Sequence, residues 1–600
     1  MQEEDIQAAQ HYAAALYARG AFDEALGQIE SIGPRLGHTG AWHYNRALVL
    51  AQLHRFDQAL EALAQAAQLG MPAAEVACQE GVIWQMQGAL AHAQQAYARA
   101  LDFAPDHQQS RVNLGAVLLE RKDYPAARDV LEAVVDPYCD HAGVLGACWL
   151  ARRHLAQWDE HTQRHATLVL QGLQCEMPVA EAFTTLALCD EPEVQRTAAR
   201  LWNSRAQARH AVRPASGVTA GDKLRIGYFS SDFHDHATMH LLAGVLDNHD
   251  RARFEVLCFS WGPPTRDAYQ LRAMGAADAF IEVHDISDQA VADRARALEI
   301  DLAIDLKGAT HNGRPGIFAA HAAPVQVNFL GYPGSMGTCW WDYLIADACV
   351  IPAGDERLFS ERIARLPHCY QPNDAARVLP DAFPSRAAAG LPETAVVLAC
   401  FNAHYKIGPE VFSAWLEILR AVPHAVLWLL EGHPLARQNF VDAAQAQGIE
   451  ATRLVFAPWL PQAQHLARLP LADLALDSWP CNAHTTASDA LWMGVPLVTW
   501  AGRSFASRVA ASTVLAVGMP ELVCRDATHY VQRVIELSRN EAQRTALRTR
   551  LTAARPSAPL FDTRRYIRSL EAAWEAMVMR HRSGLAPAHF AVQESDGGRL

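Results

Sequence analysis

Four clusters in this 600-residue chain carry residue types that do chemistry. The first, SSDFHDHATMH at residues 230–240, crowds Asp232, His234, Asp235, His236, Thr238 and His240 into a presumed strand-to-helix connection. Imidazoles are neutral near pH 7 and suit proton transfer, so a general base or a positioner for an acceptor hydroxyl is expected here. Helix capping by Ser and Asp is the simpler use of the same residues. The neighbouring chain offers no carboxylate and imidazole set of fixed geometry for a metal. The second cluster, GYPGSMG at 331–337, builds a tight loop with accessible N–H groups, although a plain turn would look much the same. In the third, FNAHYKIGPEVFSAWLEIL, Lys406 stands between a strand and a helix beginning near Gly408. A lysine there could neutralise a diphosphate as a bond to it breaks, where a lone lysine is otherwise merely solvated. In the fourth, Asn482, His484, Thr485 and Thr486 precede a helix whose apolar face includes Ala490, Leu491 and Met493. Its first-turn N–H groups and positive dipole end make an anion site, and Asp489, one turn in, is placed to accept bonds from ribose hydroxyls. Upstream, in WLPQAQHLARL, His465 and Arg468 share one helical face, which alone reads as ordinary surface.

These clusters follow short apolar, β-rich runs. LRIGYF, FEVLCF, DLAIDL and VQVNFL are separated by stretches long enough for helices, the rhythm of a parallel α/β sheet. PDAFPSRAAAGLP, residues 380–392, breaks that rhythm, which restarts with AVVLACF, AVLWLL, RLVFA, LADLALD and VPLVTW. Two successive doubly wound domains facing across a cleft suit a large, two-part ligand. Ligands of such sheets sit at the carboxyl ends of the strands, where these clusters lie.

The first 170 residues repeat with a period of 34. Phe22, Phe56, Leu90, Tyr124 and Trp158 share it, as do Ala25, Ala59, Ala93 and Ala127, and Ala13, Ala47, Gly81 and Gly115. Three ladders in one phase mean paired helices that stack, with small residues where backbones approach, exposing a concave face of the kind that binds polypeptide. EAFTTLALCDEPEVQRTAARLW and the linker PASGVTAGD bridge the two halves.

The totals, 600 residues of which half are apolar, predict two to four domains. Acidic residues number 65 against 52 basic, a net charge of −13, so neither nucleic acid nor an anionic membrane is expected as partner. The N-terminus is acidic, without the pattern of a secretory signal, and no run approaches 18 apolar residues. Twelve cysteines, scattered singly, read as reduced thiols of a cytoplasmic protein.

The helical ladders resemble tetratricopeptide repeats, with only Pro105 where a repeat-closing proline belongs. GYFSSDFHDH, FLGYPGS, FNAHYKI and CNAHTTASDALWMGVPLVTWAGRSFASRVAAS, in this order after such an arm, resemble the catalytic module of O-linked N-acetylglucosamine transferases. The resemblance covers roughly residues 8–577. It implies a tetratricopeptide superhelix over 1–170, bridging helices and linker over 171–221, and a GT-B module of two Rossmann-like domains, 222–385 and 386–580. Residues 581–600 are expected as a disordered tail. The implied reaction is an inverting transfer from UDP-N-acetylglucosamine to Ser or Thr of proteins bound along the arm, with no cofactor and no metal. By the same resemblance His236 is the active-site histidine, Asp232 a proton acceptor, and Thr238 a neighbour of the donor sugar. Leu330, Gly331 and Pro333 form the loop at the sugar, and Lys406 with His484, Thr485 and Thr486 binds the diphosphate. Asp489 takes the ribose, His465 and Arg468 surround the uracil, and Leu460 joins the donor-binding set.

There are departures. Animal members have glutamine where this chain has Ala403 and lysine where it has Gln462; they also carry a bridging-region histidine and a large insert between the catalytic halves. The lean form resembles bacterial members. A GDP-fucose-dependent O-fucosyltransferase, another hexosyl donor, an asparagine acceptor, and a binding scaffold with an inactive transferase half are the alternatives.

Overall fold

The computed structural model describes residues 2–36, 39–135, 143–207 and 223–594. Its helical arm is built of antiparallel pairs: Gln2–Ala18 with Phe22–Leu36, Gly40–Gln52 with Phe56–Gln68, Ala73–Met86 with Leu90–Phe103, and Gln108–Glu120 with Tyr124–Glu132. A further pair, Val144–His154 with Glu160–Gln174, carries the stack past residue 170. The small-residue ladders are steric requirements. Ala25, Ala47, Ala59, Ala93 and Ala127 are fully buried, and a Cβ on Gly81 would lie 2.5 Å from the Tyr97 ring. A fourth periodicity appears only in the backbone. Gly20, His54, Gly88, Lys122 and Ala156 all take left-handed φ values, from 51° to 76°, in the turn that joins the two helices of each pair. Only two of the five are glycine, the residue that adopts this conformation without strain, so composition does not reveal the pattern.

The bridging helices are Ala182–Leu188 and Pro192–Gln207; the linker PASGVTAGD lies outside the described residues. The first catalytic lobe then threads β1 (Leu224–Ser230), β2 (Phe254–Ser260), β3 (Ala279–Glu282), β4 (Leu302–Asp305), β5 (Val325–Asn328), β6 (Tyr343–Asp347) and β7 (Arg362–Leu366). The second lobe contributes β8 (Val396–Cys400), β9 (Ala425–Leu430), β10 (Leu454–Ala457), β11 (Leu474–Leu476), β12 (Leu497–Trp500) and β13 (Val523–Cys524). A last strand, β14 (Phe590–Ala591), returns to the first sheet. All pairings between these strands are parallel, in the orders 14-7-6-5-4-1-2-3 and 10-9-8-11-12-13. This is the GT-B arrangement of two doubly wound domains after a repeat arm. In each sheet the chain reverses its direction of travel once, at β1/β4 in the first lobe and at β8/β11 in the second. A crevice opens at that point outside the carboxyl ends of the two strands.

The end of the chain departs from expectation. Helix Thr563–Arg582 crosses back from the second lobe, burying Ile567, Leu570, Trp574 and Met577 in the core that holds Ile226, Tyr228 and Val327 of the first. The chain beyond residue 580 was expected as a disordered tail, yet Phe590 and Ala591 extend the sheet beside β7. His589 Nδ1 accepts the Ile363 N–H at 2.9 Å, and Glu594 pairs with His368 at 2.8 Å. The segment reads as polar tail because it borrows its core: Phe590 packs on Tyr343, a residue far away in sequence. Residues 595–600 lie outside the described range. Among the described residues no helix is long and apolar enough to cross a membrane.

Candidate active site

Each reversal point carries a charged cluster. In the first lobe the turn after β1 places Asp232 in the β1/β4 crevice. Lys307, two residues beyond the end of β4, donates Nζ to both Asp232 oxygens, at 3.0 and 2.8 Å. Ser231 and Thr238 donate hydroxyls to the same carboxylate at 2.8 and 3.2 Å. Burial would raise the Asp232 pKa, but Lys307, His236 and these bonds prevail and hold it below the usual carboxylate range. Asp232 was expected as a proton acceptor. With both oxygens on an ammonium it is a poor one.

His236 caps helix Ala237–Asp247, its Nδ1 accepting the Thr238 N–H at 3.2 Å and lying 3.5 Å from Asp232 Oδ2. Burial and Lys307 lower the imidazole below its ordinary value against the pull of Asp232, so the half-buried ring is neutral near pH 7. With Nδ1 engaged on the protein, Nε2 is the nitrogen left for a ligand. The His234 ring is tilted against that of His236, at 5.7 Å between centroids, while His240 pairs with Asp235 at 2.7 Å. The loop after β5 closes in: Leu330 adopts φ 71°, and a Cβ on Gly331 would lie 2.0 Å from the Leu306 carbonyl, so that position admits only glycine. Pro333 is buried beside it.

In the second lobe the turn His404–Lys406 follows β8, and the segment 477–486 follows β11. Lys406 Nζ donates to the Asn482 carbonyl at 3.0 Å, at the entry to helix Thr485–Trp492. Burial works against the ammonium, but Cys481, Tyr405 and Asp477 outweigh it and raise its pKa. Thr486 bonds the Asn402 side chain, and His484 Nε2 is buried without a partner. Burial drives His484 far below the ordinary imidazole value, so it meets a ligand as a neutral ring. The helix start therefore presents unpaired N–H groups beside a lysine, the elements of an anion site.

The nucleotide-side residues sit less simply. His465 and Phe401 meet edge to face at 5.2 Å, and Thr486 lines the same small pocket. Arg468, expected beside a base, is buried: it donates to His465 Nδ1 at 2.9 Å and lies 4.7 Å over the Phe401 ring. It braces His465, whose pKa burial and Arg468 push down to about 3. Leu460 is half-buried next to the exposed Trp459 in the loop before that helix. Asp489 is buried, one oxygen held at 2.7 Å by Arg377 of the segment joining the lobes. The lobes touch here: helix Ala237–Asp247 packs on helix Thr485–Trp492, and Tyr269 donates its hydroxyl to Gln462 at 2.7 Å.

Sequence reasoning missed Lys307, Arg377 and Asp477. Asp477, fully buried, accepts from Thr499 at 2.6 Å and from the Ala483 N–H at 2.7 Å, and burial pushes it up to about 7. A signal existed for Lys307 and Asp477, since both stand just past a strand end as Lys406 does. Arg377, in the segment between lobes, had none. Among the described residues no group of three or more His, Cys, Asp or Glu side chains is arranged to hold a metal ion.

Comparison with known proteins matches a model of glycosyl transferase family 41 to residues 206–383 and 382–570. A probable UDP-N-acetylglucosamine–peptide N-acetylglucosaminyltransferase SEC of Arabidopsis thaliana is 37% identical over 380 residues, 62% of this chain and 39% of that protein. A UDP-N-acetylglucosamine–peptide N-acetylglucosaminyltransferase of Caenorhabditis elegans is 28% identical over 484 residues, 62% of this chain and 42% of that one. The chain thus spans about two fifths of the length of these curated relatives. Among solved structures, a mutant of the Thermobaculum terrenum O-GlcNAc transferase superposes with a TM-score of 0.65 at 26% identity, over 91% of this chain and 99% of that one.

Proposed function

This chain belongs to glycosyl transferase family 41, and on that footing we propose that it transfers N-acetylglucosamine from UDP-N-acetylglucosamine to serine or threonine hydroxyls of proteins, inverting the anomeric centre. The observation that carries the reading is the pairing of two unlike sites at the two reversal points. One holds a neutral imidazole over a clamped carboxylate; the other holds a half-buried ammonium at a helix start. In the reaction proposed, an acceptor oxygen attacks the anomeric carbon as the bond to the β-phosphate oxygen breaks. The hydroxyl proton passes to His236 Nε2, which requires the tautomer whose proton sits on Nδ1, turned from the Thr238 N–H toward Asp232 Oδ2, 3.5 Å away. Lys406 and the N–H groups of Thr485 and Thr486 meet the charge developing on UDP, so the scheme calls for no metal. His465 stacks on the base and Asp489 takes the ribose. The sugar lies against Leu330, Gly331, Pro333 and Thr238, and Leu460 closes the nucleotide side. Polypeptide acceptors bind along the arm, where Tyr17, Trp42 and Asn45 line a groove between the first helices.

Intact-protein mass spectrometry after incubation with UDP-N-acetylglucosamine or GDP-fucose tests the assignment. The acceptor should gain one N-acetylhexosamine from the first and nothing from the second. Gain of a deoxyhexose from GDP-fucose would replace the donor assignment, and no gain with any nucleotide sugar would leave a binding scaffold.

The pH profile follows from the site. A base must be neutral, so kcat/KM should fall as pH drops through the His236 pKa, which lies below the ordinary imidazole value. Lys406 must stay protonated, and its raised pKa means no alkaline fall from this group until beyond the ordinary lysine range. Initial rates between pH 5 and 10 check both limbs; an acid limb that persists unchanged in His236→Gln would remove His236 from the role.

A further inference from the structure

The last helix pair of the arm reaches into the second catalytic lobe. Trp158, the final rung of the 34-residue ladder, leaves the arm's own core and packs between Phe412 and Phe440, at 5.1 and 5.5 Å. Leu155 accepts a bond from Asn439 at 2.7 Å. His154 stacks on Tyr124 at 4.0 Å and leans on the Tyr405 ring at 5.0 Å. Between them Arg153, only 6% exposed, donates Nη2 and Nε to the Tyr405 carbonyl at 3.0 and 3.3 Å.

That carbonyl belongs to the peptide joining Tyr405 to Lys406. The turn is otherwise short: Lys406 N–H reaches back to Ala403 at 3.0 Å and Ile407 N–H to His404 at 2.9 Å, leaving the Tyr405 oxygen for Arg153. The His404 ring is pinned on the other side, donating to the Leu430 carbonyl at 2.8 Å. Among the described residues no carboxylate pairs with Arg153 within 4.0 Å; burial pushes its pKa down to about 10, with Glu410 opposing. A guanidinium held in the interior between a neutral carbonyl and the face of the Trp149 ring, 5.1 Å away, is a costly way merely to join a helix to a turn, since an apolar side chain would fill the space more favourably. What the fork does provide is two donors converging on one carbonyl oxygen, which fixes where that end of the peptide sits. The lysine ammonium hangs from that peptide on a four-carbon stem, so a small rotation of the peptide is magnified at Nζ.

We infer that Arg153 is a positioning residue for Lys406: the arm reaches across to fix the turn that aims the ammonium at the donor diphosphate. The inference rests on the phosphate role proposed for Lys406. It makes the helical arm part of the support of the donor site as well as a carrier of acceptors.

The test compares Arg153→Met, Arg153→Lys, Lys406→Met and Arg153→Met/Lys406→Met in the full chain. Affinities for UDP and for uridine are measured by calorimetric titration, and turnover by UDP release. Arg153→Met should lower turnover roughly tenfold to a hundredfold, the scale of loss that follows an ångström of misplacement. It should weaken UDP while leaving uridine unchanged, because uridine has no phosphate to misplace. Arg153→Lys, which keeps one donor, should recover part of the loss, and would carry the test alone were the methionine variant not to fold. In the Lys406→Met background, Arg153→Met should have no further effect. Equal weakening of UDP and uridine, or a full additional loss in the double variant, would reduce Arg153 to a structural contact. A Lys406→Met enzyme with normal turnover and UDP affinity would instead sink the phosphate reading, and this inference with it.

Discussion

Lys406→Met should lower turnover at least about a hundredfold while leaving the thermal unfolding of the chain almost unchanged. The loss follows from where the charge is. As the bond to the sugar breaks, negative charge gathers on the β-phosphate, and water excluded from the crevice cannot answer it. A pre-placed ammonium in such surroundings does more than it would in bulk solvent, and removing one donor of this kind commonly costs about two to three orders of magnitude. Folding tolerates the change because Lys406 bonds the Asn482 carbonyl and the Cys481 side chain and has no carboxylate partner within ion-pair distance among the described residues. Losing such contacts costs about 1 kcal/mol each, and methionine fills much the same volume without a charge. Initial rates of UDP release beside a melting curve decide it. A variant turning over at near-normal rate would end the assignment of Lys406; a collapsed melting curve would make it a structural lysine.

Lys307→Met should behave differently, losing both stability and activity. Lys307 and Asp232 are each under a tenth exposed, and their ion pair is made through both carboxylate oxygens. Taking away one partner strands a charge in the crevice, which costs about 3 kcal/mol or more when the pair is buried. The carboxylate escapes by taking up a proton, so its pKa rises from below the ordinary range to above it. A protonated Asp232 no longer stabilises the imidazolium that His236 becomes, and loss of a general base typically costs about a hundredfold or more. Asp232→Asn combined with Lys307→Met removes both charges and should regain most of the melting temperature, but none of the turnover. If the double variant melts as low as the single one, charge imbalance is the wrong explanation. If Lys307→Met keeps its turnover, Asp232 does not work through Lys307.

The two replacements mark the boundary of what the amino-acid order reveals. Lys406 was legible because everything that defines it is local: an apolar run, a polar turn, then a helix, within some twenty residues. The same holds for His236 at the start of its helix and for the threonines ahead of Ala487. The arm was legible for a related reason: contacts between repeats recur at fixed separation, so backbone approach leaves a small residue every 34 positions. Those are statements about periodicity and strand ends, and short-range physics writes them directly into the chain.

Other features depend on strand order. Asp232 and Lys307 are 75 residues apart, and they meet because β4 pairs with β1. The order 3-2-1-4-5 opens the crevice there, and nothing in either local segment says which strands are neighbours. Arg377 reaches Asp489 across 112 residues because the segment joining the lobes folds over the second one. Arg153 reaches Tyr405 across 252 residues because the arm's last helix pair docks on a lobe whose sequence begins far downstream. The final strand is the same case inverted: Phe590 looks like part of a polar tail until the edge of the first sheet supplies the surface it covers. The chain by itself therefore determined the repeat arm, the two α/β domains and the residues at the strand ends. Only the tertiary structure decided which buried charges would face one another, because a charge is buried at tolerable cost only where a partner from elsewhere in the chain is brought to meet it.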